Sequence, residues 1–315
     1  MPQGRFEWRC IRLAPAAPCV MGHAHDHGHD HGHGSSQAGA SFRWSIALNS
    51  GLTVLQLLIG FGFGSLALIG DALHNLGDVL GLVLGWGAEQ LSLRPAGGRF
   101  TYGYGRSTQM ASLVNGLLIF SAGVVVVVEA IQRLQDPVPL IAGPVVWAAA
   151  AGIVINLLSA RLFGHNHQKD LNQRAAVLHL LTDAAVSVAV LVSAIVVGAT
   201  GWMWLDALTA IGVGLAVIVS ALGLLREAIA LNLDAAPSHI NLAAVEAELL
   251  ALPGVDAVAE LHVWGLSTSR TALTAHLVLR ADAPAGEALL DTARQRLDAL
   301  GIRKSTIQLE TLAPD

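Results

Sequence analysis

Apolar residues run along this chain in six long blocks separated by short polar stretches: Trp44–Gly64, Ser65–Leu91, Thr108–Val128, Leu140–Ala160, Ala175–Thr200 and Trp202–Leu225. Each is close to the roughly 20 residues that a helix needs to cross the hydrocarbon core of a bilayer. From Asp234 the pattern changes. Asn241 is placed to cap a helix through Ala251 that buries Val245 and Leu249. Val255–Gly265 then alternates, with Ala257, Ala259, Leu261 and Val263 on one face and Asp256, Glu260, His262 and Trp264 on the other. Arg270–Arg280 repeats this, with Leu273, Ala275, Leu277 and Leu279 inward and Thr274, His276 and Arg280 outward. A helix from about Gly286 to Leu300 and a strand from Ser305 to Glu310 complete α-β-β-α-β, a small split-βαβ sheet of ferredoxin-like type.

Composition agrees with the blocks. Of 315 residues 53% are hydrophobic and 13% charged, and the mean hydropathy is positive, which fits a polytopic membrane protein and not a soluble one. A net charge of -5 without a long basic run argues against nucleic acid as a partner. Arg94, Arg99 and Arg106 fall between blocks two and three, and Arg161, Lys169 and Arg174 between four and five. Connections one to two and five to six carry no basic residue and three to four only Arg133, so the positive-inside rule predicts that both termini are cytoplasmic. The expected organisation is a tail over 1–40, a six-helix transmembrane domain over 41–233 and a cytoplasmic ferredoxin-like domain over 234–315.

The tail has its own chemistry. His23, His25, His27, His29, His31 and His33 alternate with Gly, Ala or Asp, a tract with nothing to build a core, expected to be disordered and to collect metal loosely. Met1–Val20 is neither a signal peptide nor patterned for structure, so Met21 reads as the native start. Cys10 and Cys19, the only cysteines, form neither a disulfide framework nor a zinc motif.

Two copies of His-x-x-x-Asp lie inside the second and fifth blocks: His74 with Asp78, and His179 with Asp183. A spacing of four puts both side chains of a pair on one helix face. Two such pairs on neighbouring helices supply the four nitrogen and oxygen ligands of a tetrahedral zinc site. Ionisable groups at membrane depth are costly, so a repeated pair there reads as a working site. Metal requires neutral imidazole and ionised carboxylate, so binding displaces protons and protonation displaces metal. An unperturbed histidine titrates near pH ~6.5, within reach of physiological gradients.

With the loop Arg99-Phe100-Thr101-Tyr102-Gly103-Tyr104-Gly105-Arg106, the run Gly70–Asp78, the run Leu178–Asp183 and Leu261-His262-Val263-Trp264, these motifs resemble the cation diffusion facilitator family on its zinc-transporting bacterial branch. The resemblance implies export of Zn²⁺ from the cytoplasm across the inner membrane in exchange for protons. It also implies a homodimer paired through the cytoplasmic domain, with a transport site at His74, Asp78, His179 and Asp183. A histidine at the first position is the family's zinc-preferring form. Cadmium, cobalt and nickel stay open as cargo, and so does coupling to potassium.

Other residues carry two readings each. Asp71, one turn before His74, is an entrance group or one that orients an imidazole, or it serves the helix N-terminus. His165 and His167 resemble the family's loop metal site or are simply solvated, and His239 joins them or caps a helix. His262 and His276, on one face of adjacent strands in a register that sets them opposite, match the family's regulatory metal positions. Gln308 stands where some relatives have histidine, so at most one weaker site from His262, His276 and Glu310 is expected, against two exposed histidines at a dimer surface. Asp206 reads as structural, and Asn49 and Asn156 as hydrogen-bonders between helices. Gly77, Gly81 and Gly85 form a small-residue stripe that admits a neighbouring helix beside Asp78.

An enzyme is not expected: the His-Glu-x-x-His of a metalloprotease is absent, as is the Gly-x-x-x-x-Gly-Lys loop of a nucleotide-driven pump. The alternative to a transporter is a membrane-anchored zinc sensor or buffer, which accounts for the histidine tract but not for paired ligands inside two spans.

Overall fold

The computed structural model describes residues 34–162, 171–280, 283 and 286–311. Six long helices come first: α1 (Gly34–Phe63), α2 (Leu66–Ser92), α3 (Ser107–Gln135), α4 (Ala142–Leu162), α5 (Leu171–Thr200) and α6 (Trp204–Asn232). Those from α2 to α6 are long and apolar enough to cross a membrane, and α1 contributes the apolar stretch Ala47–Phe63. Several run past the apolar blocks, α3 to Gln135 and α6 to Asn232. A helix satisfies its own backbone and does not have to stop where hydrophobicity does.

The turn between α1 and α2 is tied down by long-range contacts. Gly64 has φ +81, and a Cβ there would lie 2.6 Å from the Pro139 carbonyl oxygen, so only glycine fits. Ile141 N–H donates to Phe63 O (3.1 Å), setting the start of α4 beside the end of α1. Ser65 caps α2 by accepting from Leu68 N–H. Asp206 of α6 reaches the same place, accepting from the Ser65 hydroxyl (2.7 Å) and from the Leu66 and Ala67 N–H groups (2.8 and 3.4 Å). The structural reading of Asp206 is thus a cap supplied from another helix.

Between helices, small residues permit close approach. Gly123 of α3 and Gly214 of α6 face one another so tightly that a Cβ on either would stand 3.2 Å from the other's carbonyl oxygen. Around them Leu68, Val126, Ala130, Val145, Ala149, Val190, Ala194 and Ala210 form the buried core of the bundle.

The C-terminal region adds α7 (Leu242–Leu250), β1 (Val255–Gly265), β2 (Thr271–Leu279), α8 (Gly286–Ala299) and β3 (Lys304–Thr311), in the α-β-β-α-β order that the pattern predicts. Asn241 caps α7, accepting from Ala244 N–H at 3.2 Å, and Val245 and Leu249 are buried. The sheet order is β1-β2-β3, with β1 antiparallel to β2 and β2 parallel to β3. One expectation fails. His276 lies opposite Ala259 and His262 opposite Thr274, because the register shifts between Ala259 and His262 at a bulge where Glu260 takes φ +47.

This domain is joined to the bundle by hydrogen bonds to the start of α3. The Gln109 amide donates to Gly265 O (3.0 Å), Thr268 N–H donates to Thr108 Oγ1 (3.1 Å), and Arg106 pairs with Asp234. Lys304 Nζ of β3 sits 4.7 Å above the ring of Tyr102.

Candidate metal centre

Because α2 and α5 pack against one another, the two i, i+4 pairs meet face to face. One ligand atom from each of His74, Asp78, His179 and Asp183 can be chosen so that all four lie within 4.8 Å of one another. The pairing crosses between helices. His74 Nε2 is 3.2 Å from Asp183 Oδ1, and His179 Nε2 is 3.1 Å from Asp78 Oδ2, with Asp183 Oδ2 3.7 Å from the same nitrogen. The two imidazoles stand edge to face, centroids 5.8 Å apart. Each histidine thus rests on the carboxylate of the opposite helix.

The cluster is lopsided in burial. The side chains of Asp183 and His74 are 3% and 15% exposed, whereas those of Asp78 and His179 are 36% and 47% exposed. Two ligands are therefore set in the protein interior, and the other two lie on the outer side of the helix pair.

Asp71 does not join the four. It is fully buried, and its Oδ2 accepts from the Gln56 amide of α1 (2.7 Å) and the Ser187 hydroxyl of α5 (3.0 Å). Gln56 Oε1 in turn accepts from the Asn75 amide at 3.2 Å. This network ties three helices together one turn from His74 and one turn from Asp183. Sequence reasoning misses Gln56, Asn75 and Ser187, although an amide inside an otherwise apolar span is a usable sign. Neither polar atom of Asn156 has a hydrogen-bond partner among the described residues, contrary to the interhelical role expected of it, and Asn49 Oδ1 has none either.

The glycine stripe beside Asp78 admits α3 and not α5. A Cβ at Gly77 would lie 2.7 Å from Ile119 Cγ1, one at Gly81 2.7 Å from the Asn115 amide nitrogen, and one at Gly85 would meet nothing. The stripe therefore seats α2 on α3, leaving the opposite face free for α5.

In the C-terminal sheet, His276 Nδ1 is 2.9 Å from Glu310 Oε1, and its Nε2 is 3.7 Å from Glu260 Oε2. Val278 and not His276 is level with Glu310, while His276 is level with Gln308. His262 does not join them. It lines a recess with Tyr102, Arg106, Asp234 and Trp264, the bulge having carried it out of line with His276. The three residues expected to form one site are thus divided, and Glu260, which the alternation places on the outward face with His262, takes the third position. His239 is exposed, and of its two readings the helix cap is not met, since Asn241 caps α7 as expected of it. His165, His167 and the histidines from His23 to His33 lie outside the described residues.

The cation efflux transmembrane domain family matches residues 43–231, and the family described as cation efflux protein, cytoplasmic domain, matches 237–312. The chain is 34% identical over 294 residues to the cation efflux system protein CzcD of Alcaligenes sp. (strain CT14), covering 93% of this chain and 90% of that one. It is 33% identical over 293 residues to the zinc transporter ZitB of Escherichia coli (strain K12), covering 92% and 93%. To the cadmium, cobalt and zinc/H(+)-K(+) antiporter of Bacillus subtilis (strain 168) it is 29% identical over 273 residues, covering 85% and 88%. Among solved structures, the metal-bound C-terminal domain of the CzcD transporter from Cuprividus metallidurans shares 36% identity, with a TM-score of 0.22, covering 22% of this chain and 99% of that one. The protein is a multi-pass membrane protein of the cation efflux class. It belongs to the cation diffusion facilitator family.

Proposed function

We propose that this protein exports Zn²⁺ from the cytoplasm in exchange for protons, with His74, Asp78, His179 and Asp183 holding the ion in transit. The convergence of their ligand atoms to within 4.8 Å between two membrane helices is the observation that carries the reading. Two imidazoles and two carboxylates suit zinc in a tetrahedral site. The crossed His–Asp contacts supply the coupling. Without metal each imidazole Nε2 rests against a carboxylate of the other helix. An arriving ion takes the same nitrogen and oxygen atoms, so a proton that makes an imidazole cationic or a carboxylate neutral must leave. Names of relatives that include zinc transporters and an antiporter support cargo and coupling alike.

The arginine distribution supports cytoplasmic termini in an inner membrane. The match to a cytoplasmic cation efflux domain supports a homodimer paired through residues 237–312. In proteoliposomes under an imposed pH gradient, the wild type is expected to move Zn²⁺ and protons in opposite directions. Asp183→Asn, nearly isosteric but lacking the anionic ligand, is expected to lose flux by at least about a hundredfold while remaining folded. A wild type that binds zinc yet moves none under any gradient would overturn the exchanger in favour of a membrane-anchored sensor or buffer.

A further inference from the structure

In a membrane interior a polar group cannot turn toward bulk solvent, so a buried one needs protein or bound water as a partner. Among the described residues eight buried side-chain atoms have no protein partner, and five of them belong to α1, α2 and α4: Asn49 Oδ1, Asp71 Oδ1, both polar atoms of Asn156, and Ser159 Oγ. Their levels follow from close contacts. A Cβ at Gly152 of α4 would lie 2.9 Å from Ser187 Oγ and 3.1 Å from Gln56 Nε2, which puts Gly152 beside the Asp71 network. The helix α4 runs antiparallel to α1 and α5, since its start meets Phe63 at the end of α1 and Gly198 near the end of α5.

One turn further along α4, about 6 Å toward the end that carries the C-terminal domain, Asn156 stands level with Thr53 on α1 and with Asp183 on α5. Ser159 follows near the level of Asn49. The polar positions thus form successive rungs from the Asp71 network, past the buried side of the metal centre, toward the C-terminal-domain end. Amides and hydroxyls offer both donors and acceptors, with a single carboxylate at the far end. That set suits neutral water and not a metal ion.

We propose that this seam binds a file of water molecules and is the path by which protons pass between the metal centre and the C-terminal-domain side, separate from the exposed side of the centre where Asp78 and His179 lie. The role in proton passage rests on the exchange reading; the water file does not.

Pulsed hydroxyl-radical labelling of the full-length protein in nanodiscs, read by mass spectrometry, tests the water directly. Leu52, buried beside Thr53, is expected to be labelled several-fold more than Leu68, which is equally buried but off the seam. Asn156→Leu is expected to abolish that labelling and to reduce proton-coupled zinc flux about tenfold, while calorimetric zinc affinity stays within about threefold. Asn156→Ser restores flux. Ser159→Ala serves as the second variant if Asn156→Leu does not fold. Leu52 as silent as Leu68 in the wild type overturns the water file, and Asn156→Leu exchanging at the wild-type rate overturns the proton path. A wild type that moves zinc with no proton counterflow defeats the exchange reading, and the path with it, while the labelling still decides the water.

Discussion

At Asp206 one carboxylate receives a hydroxyl and two backbone N–H groups from the start of α2. Removing it leaves those donors buried without a partner. Asp206→Ala is expected to cost about 1–3 kcal/mol, seen as a lower unfolding midpoint in detergent, and Asp206→Asn less, since one acceptor oxygen remains. A second test at this scale uses the crossed pairing. Zinc titrated into the weakly buffered protein is expected to release protons, and His179→Ala to release fewer and bind more weakly, as followed with a pH dye. The four ligands are legible in the sequence because a spacing of four fixes a helix face whatever surrounds it. Their cross-helix pairing is not, because His74 meets Asp183 at a sequence separation of 109, and no local rule says which carboxylate a histidine chooses. The same holds for Asp71, whose partners Gln56 and Ser187 come from two other helices.

Among elements, the seating of α2 on α3 depends on what each glycine faces. Gly77→Ala drives a methyl group against Ile119 and is expected to destabilise by ~1–3 kcal/mol through overpacking. Gly85→Ala meets nothing and is expected to be neutral or stabilising by up to ~1 kcal/mol, through helix propensity alone. Paired unfolding curves of the two variants check the contrast, and equal effects would contradict the seating. The six helices are readable because an apolar block of bilayer length is seldom anything but a membrane helix, and Asn241 announces α7 as a cap does. The β1 bulge is not readable. Val255–Gly265 alternates without a break in its sequence, and it is the long-range ladder with β2 that adds the extra residue at Glu260. That slip moves His262 away from His276.

Across the whole molecule, the C-terminal domain meets the bundle through contacts of unequal worth. Arg106 and Asp234 are half exposed, so their ion pair is worth ~0–1 kcal/mol. Gln109 is fully buried and its bond to Gly265 O has no water to replace it, so it matters more. Hydrogen exchange is expected to show little change at Leu266–Arg270 in Arg106→Ala and clear loss of protection there in Gln109→Leu. If both variants exchange alike, the joint is not held as described. The existence of two domains is plain from composition, whereas their joint is not, since it pairs the first turn of α3 with the end of β1, 156 residues later.

This joint bears on how such proteins can be recombined. A C-terminal domain transplanted from a relative arrives with its own hairpin but leaves behind Thr108 and Gln109, the residues that receive it. The unit of exchange is therefore discontinuous. A functional chimera has to carry the loop Arg99–Gln109 together with residues 234–311, and a graft cut only at the end of α6 inherits a mismatched seat.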